Sequence, residues 1–300
     1  MSIHLYQVFG LAIASHLPLH PATRVMPEET HPQVHIHAGC VPIWDVPPVF
    51  TGVLYQVGPQ DFQLEVPGVA TYFVTRGEKI VVELSADATP QEAAYFVQGS
   101  PLAALLVQRG GLVLHASAIR TPQGAVLFAG SSSTGKSVLA AAFHAHGYSL
   151  LTDELCLLMP GLDGRLLIYP AFPEVRLWPD ALKKLGLEDR AGPPLHKGLS
   201  KRSVTLVEGF AQDPLPIQRI FVLGAHNQKE TIIEPLSGKA AFEALMSMTY
   251  LPELVQTQAL RSKHFALLAA TLQQATIQQI HRYSGSFHIE NLASQLETCL

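Results

Sequence analysis

Eight residues constrain this chain more than any others. Gly130-Ser-Ser-Ser-Thr-Gly-Lys-Ser137 fits G-x-x-x-x-G-K-[ST], and it lies between the apolar run Ala125-Val-Leu-Phe-Ala129 and the helix-forming run Val138-Leu-Ala-Ala-Ala-Phe-His144. A strand, a glycine-bounded loop and a helix in that order form a phosphate cradle: the glycines let backbone N–H groups turn inward, and the helix N-terminus adds its positive dipole. In such a loop Gly130, Ser131, Ser132, Ser133, Thr134 and Gly135 supply the wrapping backbone, Lys136 reaches the β- and γ-phosphates, and the Ser137 hydroxyl holds Mg²⁺. Sixteen residues past Ser137, Leu150-Leu-Thr-Asp-Glu154 brings an apolar strand to two adjacent carboxylates. That spacing lets the helix cross the sheet and return Asp153 and Glu154 beside the loop. One carboxylate can then orient Mg²⁺ or its waters while the other accepts a proton from an attacking hydroxyl. The guanine-specifying N-K-x-D motif is absent from the chain, which disfavours a GTPase.

Charge excludes several partners and divides the chain. Twenty basic against 24 acidic residues leave a net charge of −4, without the global basic field that nucleic acid or an anionic membrane requires. The two parts differ, however: residues 1–100 hold three basic against nine acidic residues, net −6, and residues 101–300 hold 17 against 15, net +2. Hydrophobic residues make up 48% of the 300 and charged residues 15%, so the chain can bury a sizeable core. No apolar run reaches the roughly 18 residues of a membrane span. Val8-Phe-Gly-Leu-Ala-Ile-Ala14 has the look of a short signal core, but no Lys or Arg precedes Arg24, and an ordinary first strand is expected. Cys40, Cys156 and Cys299 are odd in number and show neither C-x-x-C nor zinc spacing, which points to a reducing compartment and a cytoplasmic location.

Two domains are expected. Residues 1–88 carry short β-forming runs separated by Gly or Pro turns, at Gly52–Val57, Phe62–Val66, Ala70–Thr75 and Lys79–Leu84, and read as a small β-rich domain. Thr89-Pro-Gln-Glu92 combines a capping box with proline at the first helical position and opens a second domain, 89–300. There Ser100-Pro101 starts another helix that Gly110-Gly111 ends, and helices and buried strands then alternate. Strands are expected at Leu112–Ile119, Ala125–Ala129, Ser149–Leu158, Leu166–Tyr169, Val204–Val207 and Arg219–Leu223, with a helix at Lys136–His146. The tail is expected to be helix at Lys239–Met248, helix at Phe265–His281, a short strand at Ser286–Ile289 and a last helix. The fold class is α/β, a P-loop sheet with flanking helices preceded by the smaller β-rich domain.

With strand, loop, helix and paired acids in place, residues 112–158 resemble the catalytic core of the HPr kinase/phosphorylase family, P-loop kinases that phosphorylate a serine on a carrier protein. Leu114-His115 stands where the family has its Leu/Met-His-Gly strand, Gly147–Glu154 matches its Gly-His-Arg-Leu-(x)-x-Asp-Asp stretch, and Pro173-Glu-Val-Arg176 resembles the start of its Glu-Val-Arg-Gly signature. The resemblance implies Glu154 as proton acceptor, Asp153 and Glu174 as Mg²⁺ ligands, and His115 beside the carboxylates. Glu stands at 154 where the family has a second Asp, which leaves the base open between 153 and 154. The family's Pro-Gly-Arg-Asn loop is missing. Length and layout are more similar to the lasso-peptide tailoring kinases, which phosphorylate a precursor peptide's serine; that likeness extends over Pro170–Leu182 and implies that Lys201 and Arg202 replace the missing arginine loop. Seven of the 20 cations fall within residues 176–202, against three acids, a cluster suited to phosphoryl transfer or to a solvated loop.

The resemblance implies ATP and Mg²⁺ as cofactors and a peptide or small-protein serine as acceptor. Homo-oligomerisation stays open, since no assembly element is recognisable. Phosphorylation of a small hydroxyl metabolite such as free serine, and a non-catalytic nucleotide-sensing regulator, are the competing readings. Elsewhere, His35 and His37 share a strand face near His31 and read as solvent-facing or as metal ligands. His144 and His146 read as surface residues, Trp178 and Phe172 as core, and Cys156 as inert packing.

Overall fold

The computed structural model describes all residues except 1–2, 20–25, 27–29, 45–46, 197–198, 256–257 and 284–287. The chain is mixed α/β and divides into two compact units, Met1–Val113 with Tyr250–Ala266, and Leu114–Thr249 with Leu267–Leu300. Among the described residues no helix is long and apolar enough to cross a membrane.

The first unit is built on strands β1 (His4–Val8), β2 (Leu11–Ser15), β3 (Val34–Ala38), β4 (Phe50–Thr51), β5 (Tyr55–Val57), β6 (Asp61–Val66), β7 (Ala70–Thr75) and β8 (Lys79–Leu84). They form one sheet in the order β1-β2-β3-β8-β7-β6-β5-β4. Its first hairpin turns through Phe9 and Gly10, both at positive φ, the turn geometry that matches the twist of two paired strands. Helix α1 (Pro90–Val97) starts at the expected capping box: the Glu92 N–H donates to Thr89 Oγ1 at 3.2 Å and the Thr89 N–H to Glu92 Oε2 at 3.0 Å. Helix α2 (Ser100–Gln108) is apolar nearly all round and packs on β6 and β7. Both helices therefore belong with this sheet, and the unit runs past the boundary expected near residue 88, because an eight-stranded sheet needs its apolar face covered. Residues Pro252–Val255, with Leu254 and Val255 buried, pack on α2 and return to the same unit.

The second unit contains β9 (Leu112–Thr121, from Leu114 on), β10 (Gly124–Gly130), α3 (Lys136–Ala145), β11 (Ser149–Thr152), β12 (Leu155–Pro160), β13 (Leu166–Ile168), β14 (Glu174–Leu177), α4 (Pro179–Leu185), β15 (Ala191–His196), β16 (Leu199–Thr205), β17 (Leu215–His226), β18 (Ile232–Pro235) and α5 (Gly238–Ser247). Helix α6 (Gln258–Gln274, from Leu267 on), β19 (Thr276–Tyr283) and α7 (Ile289–Glu297) follow. The main sheet runs β10-β9-β12-β13-β17-β19-β18, with β11 beside β9, and β10 also pairs with β17, so five of these strands close on themselves. Strands β10, β17 and β19 are parallel, and their carboxyl ends lie together. A three-stranded sheet, β14-β16-β15, stands separately.

Strand β10 is buried along its whole length, as its unbroken apolar run requires of a strand covered on both faces. Phe128 stacks on Phe221 of β17 at 6.1 Å between ring centroids and meets Phe143 of α3 at 5.1 Å. At the far end of α3, His146 bonds to Glu290 at 3.0 Å and to Glu297 at 2.8 Å, both on α7.

Two expected elements differ. The strand expected over Ser149–Leu158 is two strands broken at Asp153-Glu154, where the Leu155 N–H turns back to Asp153 O and Glu154 takes a φ of 74°. The helix expected over Phe265–His281 ends at Gln274, and Thr276–Tyr283 is a strand, because its β-branched Thr276, Ile277 and Ile280 lie in register with Arg219–Leu223 of β17. Of the strand expected at Ser286–Ile289, residues 286–287 lie outside the described residues, and Ile289 opens α7.

Truncating Phe143 to alanine removes the ring that locks α3 onto β10, and the expected loss is about 3–5 kcal/mol of unfolding free energy, read as a lowered urea midpoint.

Candidate functional site

The Gly130–Ser137 loop joins the carboxyl end of β10 to the start of α3. Gly130 has φ 155°, and a Cβ there would sit 2.7 Å from Thr134 Oγ1 and 2.9 Å from Leu223 O, so only glycine fits. Gly135 caps α3 at φ 103°, and Ser133 holds a positive φ of 65° without being glycine. Thr134 Oγ1 donates to Ser131 O at 2.9 Å and closes the loop on itself. Lys136 is 6% exposed, and its Nζ donates to Gly130 O at 2.8 Å and Ser131 O at 2.9 Å. Burial, helped by the charge of Lys201 and opposed by Asp153 and Glu154, lowers its pKa to about 8.

A cleft of about 530 Å³ opens over this loop. Ser132, Ser133, Gly135, Lys136 and Ser137 form its floor, with His115 of β9, Glu154 and Lys201 of β16 facing them. Leu177, Trp178, Asp180 and Lys184 extend the wall of the cleft, and Arg282 of β19 also lines it. Five cationic side chains, Lys136, Arg176, Lys184, Lys201 and Arg282, outnumber the two carboxylates Glu154 and Asp180 in this lining. The surface suits a polyanion.

Arg176 organises the carboxylates. It is 6% exposed on β14; its Nε and Nη2 donate to Glu174 Oε1 at 2.9 and 2.8 Å, its Nη1 to Glu154 Oε2 at 3.1 Å, and its backbone N–H to Asp153 Oδ2 at 3.0 Å. Ser117 Oγ donates to Asp153 Oδ1 at 2.6 Å, and Ser203 Oγ donates to Glu174 Oε2. The two adjacent acids thus have different surroundings. Burial raises the pKa of Asp153 against the pull of Ser117, the Arg176 N–H and Lys201, and this side chain does not reach the cleft lining. Burial also works against the charge on Glu154, but Arg176, Lys201 and His115 outweigh it, and its pKa falls below the usual carboxylate range. Glu154 occupies the centre of the turn back to Asp153, a strained conformation for a residue with a side chain, and strain of this kind concentrates where geometry serves a site. Burial and the neighbouring Lys136 push the His115 pKa down to about 4, so its ring is neutral at pH 7.

Not every residue expected at the site is brought there. Glu174 is buried behind Arg176, bonded to Arg176 and Ser203, and outside the cleft lining. Arg202 lies on the opposite face of β16 from Lys201, since strand neighbours alternate, and it pairs across from buried Leu177 rather than entering the cleft. Trp178, expected in the core with Phe172, is 43% exposed on the cleft wall, whereas Phe172 is buried. His31 and His35 are exposed and His37 is half-buried, with the His35 and His37 rings stacked at 5.7 Å. Among the described residues no group of three His, Cys, Asp or Glu side chains is placed to hold a metal ion. Mg²⁺ asks less of a protein, one or two oxygen ligands beside phosphates and water, and the Ser137 hydroxyl and Glu154 carboxylate in the cleft fit that donor set. Cys156 is fully buried and burial raises its thiol pKa, in keeping with packing. Sequence reasoning missed Arg282 and Ser117 as site residues, and held Lys184 and Arg176 only as members of the cation cluster over residues 176–202, Arg176 also as part of a motif; the same-face spacing of Glu174 and Arg176 on a strand was a further signal.

No family model matches the chain, and no curated protein matches it. Among solved structures, the Hpr(Ser) kinase/phosphatase from Coxiella burnetii is similar to it at 14% identity and a TM-score of 0.31, over 62% of this chain and 91% of that one.

Replacing Arg176 with methionine removes the guanidinium shared by Glu154 and Glu174, and about 3–5 kcal/mol of stability is expected to go with it. Adding Glu174→Gln restores part of the loss, so a denaturation double-mutant cycle returns a coupling well above zero.

Proposed function

We propose that this protein is a Mg²⁺- and ATP-dependent kinase that moves the γ-phosphoryl group onto a serine hydroxyl of a peptide or small protein. The observation that carries the reading is a single cleft in which the Gly130–Ser137 loop and Lys136 face Glu154 and Lys201. Loop amides and the first N–H groups of α3, which have no partner within the helix, receive the phosphates, and Lys136 turns from Gly130 O and Ser131 O to the β- and γ-oxygens. The Ser137 hydroxyl would hold Mg²⁺ beside the phosphates, and the ion would offset their charge, which leaves Glu154 to the acceptor hydroxyl. The serine oxygen forms a bond to the γ-phosphorus as the bond to the β,γ-bridging oxygen breaks, ADP leaves, and the serine proton passes to Glu154.

A carboxylate of lowered pKa is suited to this reaction. Phosphoryl transfer has a loose transition state, so the acceptor's proton moves late and the carboxylate's first task is to orient the hydroxyl. Bound polyphosphate also adds negative charge, which raises the Glu154 pKa toward that of a working base. Asp153, held by Ser117 and Arg176 behind it, positions the turn that presents Glu154. The resemblance to lasso-peptide tailoring kinases supports a ribosomally made precursor peptide as acceptor, and the exposed Trp178 on the cleft wall offers an extended chain an aromatic surface.

Incubation with radiolabelled ATP, Mg²⁺ and a panel of precursor peptides and free serine tests the reading, with mass spectrometry of the products. Label is expected on a peptide serine. Lys136→Ala is expected to reduce transfer by about 10²–10³-fold and Glu154→Gln by a similar factor. Full activity in Lys136→Ala, or ATP binding without ADP release under any acceptor, overturns the proposal, and label on free serine alone overturns the peptide assignment.

The lysine also sets a pH dependence. Free Lys136 loses its proton as pH rises through about 8, and a polyphosphate favours the protonated form, so binding takes up a proton above that pH. Affinity for ATP is expected to be flat below pH 8 and to fall by up to about tenfold per pH unit above it. Calorimetry at pH 9 in buffers of different ionisation enthalpy reads the proton uptake directly.

A further inference from the structure

We propose that a second cavity, of about 420 Å³, is the nucleoside site: the base and ribose of the bound nucleotide leave the phosphate loop past Arg282 and lie against the end of β19 and the exposed face of α7. This rests on the kinase reading and adds to it the direction of the nucleotide and the residues that select it.

Three observations carry the direction. In the strand order β11-β9-β10-β17-β19, Glu154 follows β11 on one side of the phosphate loop and Arg282 lies on β19 on the other; the acceptor meets the transferred phosphate at Glu154, so the nucleoside belongs on the Arg282 side. Arg282 lines both cavities, and its Nε donates to Thr134 O at 3.2 Å, so the second cavity continues from the phosphate loop across one side chain. The second cavity also lies outside the carboxyl ends of the parallel strands β17 and β19, where ligands settle in open α/β sheets.

Beyond Arg282 the second cavity keeps some positive charge, with Lys229 beside Glu230 and His288, and adds groups that a nucleoside can use. The first cavity is dominated by cations. The second offers the half-buried Tyr283 ring as apolar surface, with the carboxamides of Asn291 and Gln295 one helical turn apart on α7. Carboxamides present both donors and acceptors and can pair with the edge of a heterocyclic base. The Glu230 carboxylate can accept from ribose hydroxyls. The volume falls within the range of small-molecule sites, roughly 300–1,000 Å³.

Asn291 and Gln295 are exposed, so tryptophan at either position fills the cavity without disturbing the core. Dissociation constants of ATP and of inorganic tripolyphosphate are measured with Mg²⁺ for the full chain and for Asn291→Trp and Gln295→Trp. The expected result is ATP affinity lowered by about tenfold or more with tripolyphosphate affinity unchanged. Unchanged ATP affinity, or equal losses for both ligands, overturns the proposal. A wild-type protein that binds neither ligand overturns the nucleotide reading itself, a different pattern. An azido-substituted ATP crosslinked to the unmodified protein gives a second measure: label is expected in peptides bearing Glu230, Tyr283 or Asn291. Label confined to the Trp178–Lys184 wall overturns the assignment.

Discussion

The carboxylates of this site depend on one buried arginine. Arg176 holds Glu174 and Glu154 with its guanidinium and Asp153 with its backbone N–H, so one residue of β14 ties the small sheet to the turn between β11 and β12. A guanidinium is always charged and presents its donors in a fixed plane, which lets it satisfy several acids at once where an ammonium would satisfy fewer directions. Taking such charges out of water is costly, and an apolar cluster of the same volume would stabilise the fold as well or better. The network is therefore best understood as a geometric device. It orients Glu154 and keeps Asp153 and Glu174 behind it.

That division of labour explains why two adjacent acids behave differently. Asp153 is buried and bonded from two sides, and its pKa rises; Glu154 lies in a cluster of positive groups, and its pKa falls. The positive φ at Glu154 supplies the difference, since the chain reverses there and turns one side chain inward while the other enters the cleft. Strain in the chain at this point, like that at Ser133 in the loop opposite, is sustained by the packed strands on either side.

The loop itself is held by a buried aromatic cluster of the second unit. The rings of Phe128, Phe143 and Phe221 join β10, α3 and β17, so the loop between β10 and α3 has both ends anchored in the core. Parallel β17 and β19 then bring their carboxyl ends alongside it. The result is a row of loops at one edge of the sheet, with the carboxylates on one side of the phosphate loop and Arg282 on the other.

What the sequence determined by itself was local. The Gly130–Ser137 motif, the strand before it and the helix after it are read from contiguous residues, because a strand-loop-helix unit is specified by hydrophobic pattern and by glycines that only one backbone path accommodates. The capping box at Thr89 is legible for the same reason, and the Asp153-Glu154 pair declared itself by adjacency. Tertiary structure decided the rest. Arg282 gave no local signal: it follows a stretch with helical composition, and it reaches the cleft only because Thr276–Tyr283 adds to β17 as a parallel strand, a pairing across more than 50 residues. Lys201 and Arg202 are equivalent by charge, and strand register alone sends the first into the cleft and turns the second away. Glu174 was recognisable as part of a motif, but its commitment to Arg176 depends on which residues share its strand face and its neighbours'. Spacing along the chain establishes which chemistry is on hand; register and burial decide which groups meet, because they set the distances and the dielectric in which charges act.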